Sequence, residues 1–198
     1  MISAIAKTDL TAIVVIDMLY DYIDGTITCE EAELAARRAA AFIENNPKLK
    51  AYYVAETHPA NHCSFKEYGG MWPVNCVAGT RGASIHAAFY SLSNIDNRPQ
   101  VDNIYRKGIA ADDDSSSCMA ASTAFGSVLS KALPKKVLVC GNAAEYGVRA
   151  TCEELLAYGH EVTVVEDAIG WYSEEARDEA MTALQEQGAR FIIAVKYD

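Results

Sequence analysis

Short runs of apolar residues, separated by longer segments with helical character, constrain the fold of this chain more than any other feature. Four runs are clear, and they lie at Ala12–Ile16, Lys50–Ala55, Lys136–Cys140 and Glu161–Val165. The first, AIVVI, is continuous in hydrophobicity rather than alternating, which is typical of a strand buried on both faces of a parallel sheet. The sequence therefore predicts a layered structure with a buried sheet at its centre.

The rest of the chain predicts helices and two further strands. The strands are predicted at Val101–Arg106, the weaker of the two, and at Arg190–Val195, and the helices at Glu30–Asn45, Tyr146–Tyr158 and Ser173–Gln187. Gly159 and Gly188 follow the last two helices, where a glycine commonly ends a helix. Thr28 and Glu31 have the spacing of a capping box at the start of the first helix.

Strands that alternate with helices are typical of a parallel sheet covered on both faces. We therefore predict one α/β domain over residues 1–198, a doubly wound, Rossmann-like and mostly parallel six-stranded sheet with helices on both faces. The segment from Glu56 to about Gln100 is the exception, because it is rich in Gly, Pro, His and Asn and has little periodicity. Long irregular insertions in compact domains are usually functional loops.

Composition limits the classes of partner and the compartment. The formal net charge of −10 disfavours nucleic acid and gives no reason to expect an anionic membrane surface. No stretch approaches about 18 consecutive apolar residues, and no cleavable leader is evident, so we expect no membrane span. The six cysteines include no C-x-x-C pair, and reduced thiols in a cytoplasmic protein are the simplest interpretation.

Charged residues follow the predicted strands directly. Asp17 follows the first strand, Glu56 the second and Lys107 the third, while Gly141–Gly147 (GNAAEYG) follows the fourth. The carboxyl ends of parallel strands meet at one edge of the sheet, where ligands bind in open α/β folds. We therefore expect these residues to surround one site, since charged groups gathered above apolar strands indicate a function.

Glu56, His58 and His62 form the pattern E-x-H-x-x-x-H directly after the second strand. Carboxylate oxygen and imidazole nitrogen are suitable ligands for Zn²⁺, Mn²⁺ or Fe²⁺. Residues two apart in an extended segment point to the same side, so Glu56 and His58 could bind one ion. A turn held by hydrogen bonds is an equally good interpretation of this short pattern.

Four collinear segments resemble the nicotinamidase and isochorismatase-like superfamily of cysteine hydrolases. They are AIVVIDMLYDYIDG, ETHPANHCSFKEYGGMWPVNCVAGTRGA, YRKG and CGNAAEYGVRATCEELLAYGHEV, and they are closest in pattern to nicotinamidases. The superfamily reaction is hydrolysis of an amide, in which a cysteine attacks the carboxamide carbon while an aspartate and a lysine manage the proton. The order of the four segments is far more specific than any one of them.

The resemblance implies a role for particular positions of this chain. Asp17 matches the catalytic aspartate and Lys107 the lysine, and Asn142–Ala143 matches a cis peptide beside the oxyanion hole. The metal-binding positions correspond to Glu56, His58, His62 and Asn75, where Glu56 replaces an aspartate and Asn75 a histidine. Further pocket residues are expected to be Tyr22, Trp72 and Tyr146.

Gly147 stands where the superfamily has its nucleophilic cysteine. Glycine has no side chain, so the resemblance implies that cysteine-dependent catalysis is lost while a pocket for a carboxamide or an aromatic acid remains. Two alternatives keep activity, through a water bound to a divalent metal or through Cys118 as a substitute nucleophile. A third makes the chain a non-catalytic subunit of an assembly, and the resemblance also implies a homo-oligomer.

Overall fold

The computed structural model describes residues 11–194 and shows six strands in one sheet. The strands are β1 Thr11–Ile16, β2 Lys50–Glu56, β3 Ile104–Lys107, β4 Lys136–Gly141, β5 Glu161–Ile169 and β6 Arg190–Ile192. The helices are α1 Tyr20–Ile23, α2 Ala32–Asn45, α3 Leu129–Ala132, α4 Arg149–Ala157 and α5 Glu174–Glu186. A π-helical turn, Ala144–Val148, leads directly into α4. No helix in this part of the chain is long and apolar enough to cross a bilayer.

All five strand pairings are parallel, in the order β3-β2-β1-β4-β5-β6. This is the doubly wound order, and the predicted α/β fold is confirmed with a sheet that is wholly rather than mostly parallel. The chain reverses direction across the sheet between β1 and β4, so a crevice opens at their carboxyl ends. That crevice is where ligands bind in folds of this topology.

The sheet is buried on both faces, as the continuous apolar strands predicted. Ile13 and Val15 of β1 pack into the cluster that contains the buried face of α2, whereas Val14 and Ile16 pack into the cluster that contains α4 and α5. Alternate residues of a strand point to opposite faces, so both halves of AIVVI are core residues. This two-sided core fixes the strand ends that carry the site.

Several local predictions need correction. Thr28 and Glu31 do not form a capping box, because the Thr28 hydroxyl donates to the Gly25 carbonyl and Glu31 is in a left-handed conformation without a side-chain cap. The third strand is confined to Ile104–Lys107, since the preceding residues form a turn, and the sixth ends at Ile192. Val195, the predicted end of that strand, lies outside the described residues.

The irregular segment between β2 and β3 contains no regular element longer than a short 3₁₀ helix. Its three 3₁₀ helices are Lys66–Tyr68, Ala87–Ser91 and Ile95–Asn97. The segment is therefore long and irregular, as predicted. It covers the carboxyl end of the sheet next to β1 and β2. The six cysteines form no disulfide within residues 11–194.

Candidate active site

Asp17 is held rigidly at the carboxyl end of β1. Its backbone has a φ of +45°, which is uncommon for a residue with a side chain and often marks a functional position. Its N–H donates to the Val54 carbonyl over 3.1 Å, and its Oδ1 accepts from the Glu56 N–H over 2.8 Å. The carboxylate is fully buried, so the fold aims a charged group into the crevice.

Lys107 lies between two carboxylates. Its Nζ is 3.1 Å from Asp17 Oδ2 and 3.0 Å from Glu56 Oε1. Glu56 and Lys107 are paired in the register of β2 and β3, so their side chains leave the sheet side by side. Glu56 Oε2 also accepts a hydrogen bond of 2.6 Å from the Tyr22 hydroxyl. The three charged residues expected at the strand ends thus form one buried cluster.

The environment separates the pKa values of the two acids. Burial raises the pKa of Asp17 to about 6, and the negative charge of Glu56 adds to this rise, while Lys107 opposes it. Burial also acts to raise the pKa of Glu56, but Lys107 and His58 outweigh it, so the pKa of Glu56 falls below its ordinary value. Burial lowers the pKa of Lys107, but Asp17 and Glu56 hold it well above the ordinary value. Asp17 is therefore the acid of this cluster that can exchange a proton near neutral pH.

Gly147 lies in the π-helical turn and faces Asp17. A Cβ atom placed on Gly147 would lie 3.7 Å from Asp17 Oδ2, 3.4 Å from the Asn142 carbonyl oxygen and 3.3 Å from Ile16 Cγ2. The peptide bond between Asn142 and Ala143 is cis, and the Asn142 amide donates to the Asp17 carbonyl over 3.1 Å. A side chain at position 147 would therefore enter the site next to the buried aspartate.

His62 is occupied by hydrogen bonds at both ring nitrogens. Its Nδ1 lies 2.8 Å from Ser64 Oγ, and its Nε2 lies 2.8 Å from the Asp113 carbonyl oxygen. Because a carbonyl oxygen can only accept, Nε2 carries the proton and has no lone pair for a metal. The ring stacks on His58 with centroids 3.8 Å apart, and His62 does not line the cavity.

Glu56 and His58 are also engaged with protein partners. His58 Nδ1 donates to the Gly108 carbonyl over 3.1 Å, and its Nε2 lies 3.5 Å from Glu56 Oε2, which already accepts from Tyr22. Within residues 11–194, no group of three or more His, Cys, Asp or Glu side chains is arranged to hold an ion. The side chains of the E-x-H-x-x-x-H pattern are thus held by hydrogen bonds to protein groups in this part of the chain, and metal binding by Glu56, His58 and His62 stays a prediction.

Asn75 enters the site from the irregular segment. It is only 3% exposed, and its Nδ2 donates to the Pro73 carbonyl over 2.8 Å. The next residue, Cys76, has a φ of +47°, and its N–H donates to Asp21 Oδ2 over 2.6 Å. Asp21 thus holds this part of the loop against α1, a role that the sequence analysis missed.

A signal for Asp21 was present in the glycines around it. A Cβ atom on Gly25 or Gly82 would collide with the Asp21 carboxylate, so both positions need glycine for a steric reason. These two glycines allow the backbone to pack directly against the buried Asp21 carboxylate. The sequence contains all three residues but does not show that they are in contact, because Gly82 is far from Asp21 and Gly25 in the chain.

The cavity above this cluster has an aromatic wall. Its rings belong to Trp72, Tyr146 and Tyr172, whose centroids are 5.4, 5.4 and 5.9 Å apart in the three pairs. Tyr172 was not among the predicted pocket residues, and it follows β5 at the same edge of the sheet. The space has an empty volume of about 510 Å³, a figure that includes its open mouth.

The structure brings most of the predicted site residues around this cavity. Those that line it are Asp17, Tyr22, Glu56, His58, Trp72, Asn75, Lys107, Ala143, Tyr146 and Gly147. Asn142 supports the site from behind, through its bond to Asp17. Cys118 does not line the cavity, is fully buried, and has its pKa raised to about 12 by that burial. Its thiol is therefore not a reactive thiolate near neutral pH.

Comparison with known proteins agrees with this architecture. The model of the isochorismatase domain family matches residues 11–194. Among solved structures, a pyrazinamidase of Pyrococcus horikoshii in complex with zinc has a TM-score of 0.76 and 26% sequence identity, over 92% of this chain and 98% of that one. No curated protein matches the chain.

Two further solved structures share the fold at lower sequence identity. PnC1 from L. infantum, in complex with nicotinate, has a TM-score of 0.80 and 24% identity over 98% of this chain and 97% of that one. The yeast nicotinamidase bound to the inhibitor nicotinaldehyde has a TM-score of 0.80 and 20% identity over 93% of this chain and all of its own. Since the family model spans every described residue of the sheet and the site, the chain belongs to the isochorismatase family of hydrolases.

Proposed function

We propose that this protein binds a small planar carboxamide or aromatic acid and has lost the cysteine-dependent hydrolysis of its family. The observation that carries the proposal is Gly147, whose missing side chain would point at the Asp17 carboxylate. Loss of a nucleophile removes several orders of magnitude of rate, and only binding and electrostatic stabilisation remain. No cysteine is among the described residues that line the cavity, so no thiol replaces the missing one.

The chemistry of the wall supports a flat ligand. Trp72, Tyr146 and Tyr172 present ring surfaces at the cavity, and aromatic pairs in offset or edge-to-face arrangements are favourable. The related proteins with bound nicotinate and nicotinaldehyde hold single aromatic rings of this kind. A one-ring ligand with a polar substituent would place its ring against this wall and its substituent toward the buried charges.

The proposed ligand binding does not use a metal ion. The pyrazinamidase relative binds zinc, but here the donor atoms of Glu56 and His62 are engaged by Lys107, Ser64 and a backbone carbonyl. The chain's own ammonium group occupies one carboxylate oxygen that a cation would need. We therefore expect the pocket to work in the same way with and without added divalent cations.

Two predictions of the sequence concern the protein in its cell. A cytoplasmic location agrees with six free thiols, because disulfides are rare in reducing compartments. Self-association of copies, with or without another subunit, stays a prediction that light scattering of the purified protein would check.

Binding without turnover is the expected result for the purified full-length chain. Nicotinamide or nicotinate should quench the fluorescence of Trp72, and chromatography should detect no conversion of nicotinamide to nicotinate. Trp72→Phe is the matched control, since it removes the reporter and leaves Trp171, which does not line this cavity. Chelated and zinc-loaded protein should give the same affinity. Fast conversion of nicotinamide, in either preparation, would refute the proposed loss of catalysis.

A second candidate is hydrolysis by general acid catalysis, which the buried, proton-exchanging Asp17 favours. An acid-labile C–O bond, such as that of an enol ether, is hydrolysed without a protein nucleophile. Asp17 would protonate the alkene carbon, and water would add to the resulting oxocarbenium ion and return a proton to Asp17. The hemiketal formed would then collapse, breaking the C–O bond and releasing a carbonyl compound and an alcohol. A glycine at position 147 leaves room for the water.

The pH dependence tests this second candidate. The pKa of Asp17 is about 6, so the acid form predominates below that pH. The value of kcat/KM for a cyclic enol ether carrying a carboxamide should be constant below pH 6 and fall about tenfold per pH unit above it. Asp17→Asn should abolish the reaction. A rate that rises with pH, or that survives in Asp17→Asn, would exclude Asp17 as the proton donor.

A further inference from the structure

The side-chain oxygen of Asn75 is a buried acceptor that nothing in the described part of the chain satisfies. Asn75 lines the cavity and is 3% exposed, and its Oδ1 has no hydrogen-bond partner there. A buried amide without a partner is unfavourable by about 1–3 kcal/mol relative to one that is bonded. Such an atom at the wall of a ligand cavity indicates a bond that a ligand completes.

The orientation of the Asn75 amide is fixed by its other end. Nδ2 donates to the Pro73 carbonyl over 2.8 Å, and turning the amide over would place two carbonyl oxygens against each other. The oxygen, rather than the NH₂ group, is therefore the end of the amide without a hydrogen-bond partner in the described part of the chain. The Asp21 carboxylate holds the following Cys76 N–H, so the segment that carries Asn75 is also anchored from behind.

The charges around the cavity also favour a neutral ligand over an anionic one. Asp17, Glu56 and Asp114 contribute carboxylates to the lining, against the cationic groups of Lys107 and His58. Lys107 already lies between Asp17 and Glu56, and His58 faces Glu56 at 3.5 Å. A carboxylate ligand would thus find no unpaired cation among the lining residues, and it would be repelled by the excess of negative charge.

We propose that Asn75 accepts a hydrogen bond from an N–H group of the ligand and makes the pocket select carboxamides over the corresponding carboxylic acids. A carboxamide is neutral and presents two N–H donors, whereas an ionised acid presents only acceptors. The proposal rests on the proposed binding function, and it narrows that function from two ligand classes to one. Asn75 is then a specificity-determining residue.

Calorimetric titration with matched pairs tests this assignment. Nicotinamide and nicotinate form one pair, and benzamide and benzoate form a second pair that lacks the ring nitrogen. At pH 7.5, each amide should bind at least about tenfold more tightly than its acid, since one hydrogen bond and a like charge together correspond to a factor of this size. Chromatography of the recovered ligand shows whether any amide was hydrolysed.

Two variants of Asn75 separate recognition from a structural role. Asn75→Leu has a similar size without an acceptor, and it should weaken amide binding about tenfold while changing acid binding less than twofold. Asn75→Asp keeps acceptor oxygens and adds a charge, so it should retain amide binding and weaken acid binding further. Asn46→Leu, at the exposed end of α2, is the matched control and should change neither.

The outcomes distinguish this proposal from the proposed function. If none of the four ligands binds, or if nicotinamide is rapidly hydrolysed, the proposed function fails. If the ligands bind but amide and acid have equal affinity, or if the acid is preferred, the role of Asn75 alone is refuted. The same holds if Asn75→Leu folds and leaves the ratio unchanged. Should Asn75→Leu fail to fold, an unchanged ratio in Asn75→Asp overturns the proposal.

Discussion

Gly147→Cys should hydrolyse nicotinamide at least about 100-fold faster than the unmodified protein. The change puts a thiol beside Asp17, because the Cβ of the new residue lies 3.7 Å from Asp17 Oδ2. Removal of a nucleophile from such a site ordinarily lowers the rate by several orders of magnitude, so partial recovery of this size is a conservative expectation. Release of nicotinate, followed by chromatography, measures it.

Local geometry permits this substitution. Gly147 is not in the left-handed region, so a residue with a side chain adopts its backbone conformation without strain. The tightest contact of the new Cβ is with Ile16 Cγ2 at 3.3 Å, which requires a shift of a few tenths of an ångström. The cysteine should therefore fold in place, and its thermal unfolding should stay close to that of the parent.

Two controls identify the source of the new activity. Gly147→Ala fills the same space without a nucleophile, and Gly147→Ser supplies a much weaker one, so both should stay near the background rate. Mass spectrometry should detect an acyl group on the introduced thiol of the active variant alone. A Gly147→Cys protein that folds and binds nicotinamide but shows no gain would mean that position 147 is not where the nucleophile acts.

Lys107→Met should lower the free energy of unfolding by about 3–5 kcal/mol, the ordinary effect of removing one partner from a buried ion pair. The ammonium group of Lys107 is the shared partner of Asp17 and Glu56, at 3.1 and 3.0 Å. Without it, two carboxylates remain buried at short range, and only the His58 ring, 3.5 Å from Glu56, offers a cationic group to either of them. Urea denaturation at pH 7.5 measures the loss.

The companion variants distinguish charge from packing. The triple variant Asp17→Asn, Glu56→Gln, Lys107→Met has no charge in the cluster and a similar volume. It should recover most of the stability, because replacing a buried ion cluster by uncharged groups often leaves stability unchanged or raises it. The defect of Lys107→Met alone should also shrink as the pH falls, because protonation removes the unpaired charges. A single variant as stable as the parent, or a triple variant as unstable as the single one, would contradict this account.

Sequence reasoning located the sheet and the centre of the site because both follow from strand position. AIVVI is continuous in hydrophobicity because both faces are covered, and Asp17, Glu56 and Lys107 meet because the strands before them are parallel neighbours. The pairing of Glu56 with Lys107 follows from the register, which a sequence alone does not contain. The register is set by which apolar side chains meet across the sheet.

The irregular segment after β2 limited the rest of the prediction. The sequence did not predict the hydrogen bonds between the His62 ring and Ser64 and the Asp113 carbonyl, because Asp113 lies in a distant loop. The contact between Asp21 and Cys76 joins residues 55 positions apart with no periodic pattern between them. The path of a loop without repeating hydrophobicity is decided by such single contacts, and these leave no trace in local spacing.

Because two carboxylates share the ammonium group of Lys107, this cluster restricts the substitutions that the chain tolerates during evolution. Losing Lys107 leaves two buried carboxylates without their shared cation, so this single step lowers stability sharply, even though the fully neutral form would be tolerated. Proteins sit only a few kcal/mol above unfolding, so such intermediates are disfavoured. Stability alone can thus keep Lys107 in a lineage, and its presence is not by itself a record of present catalysis.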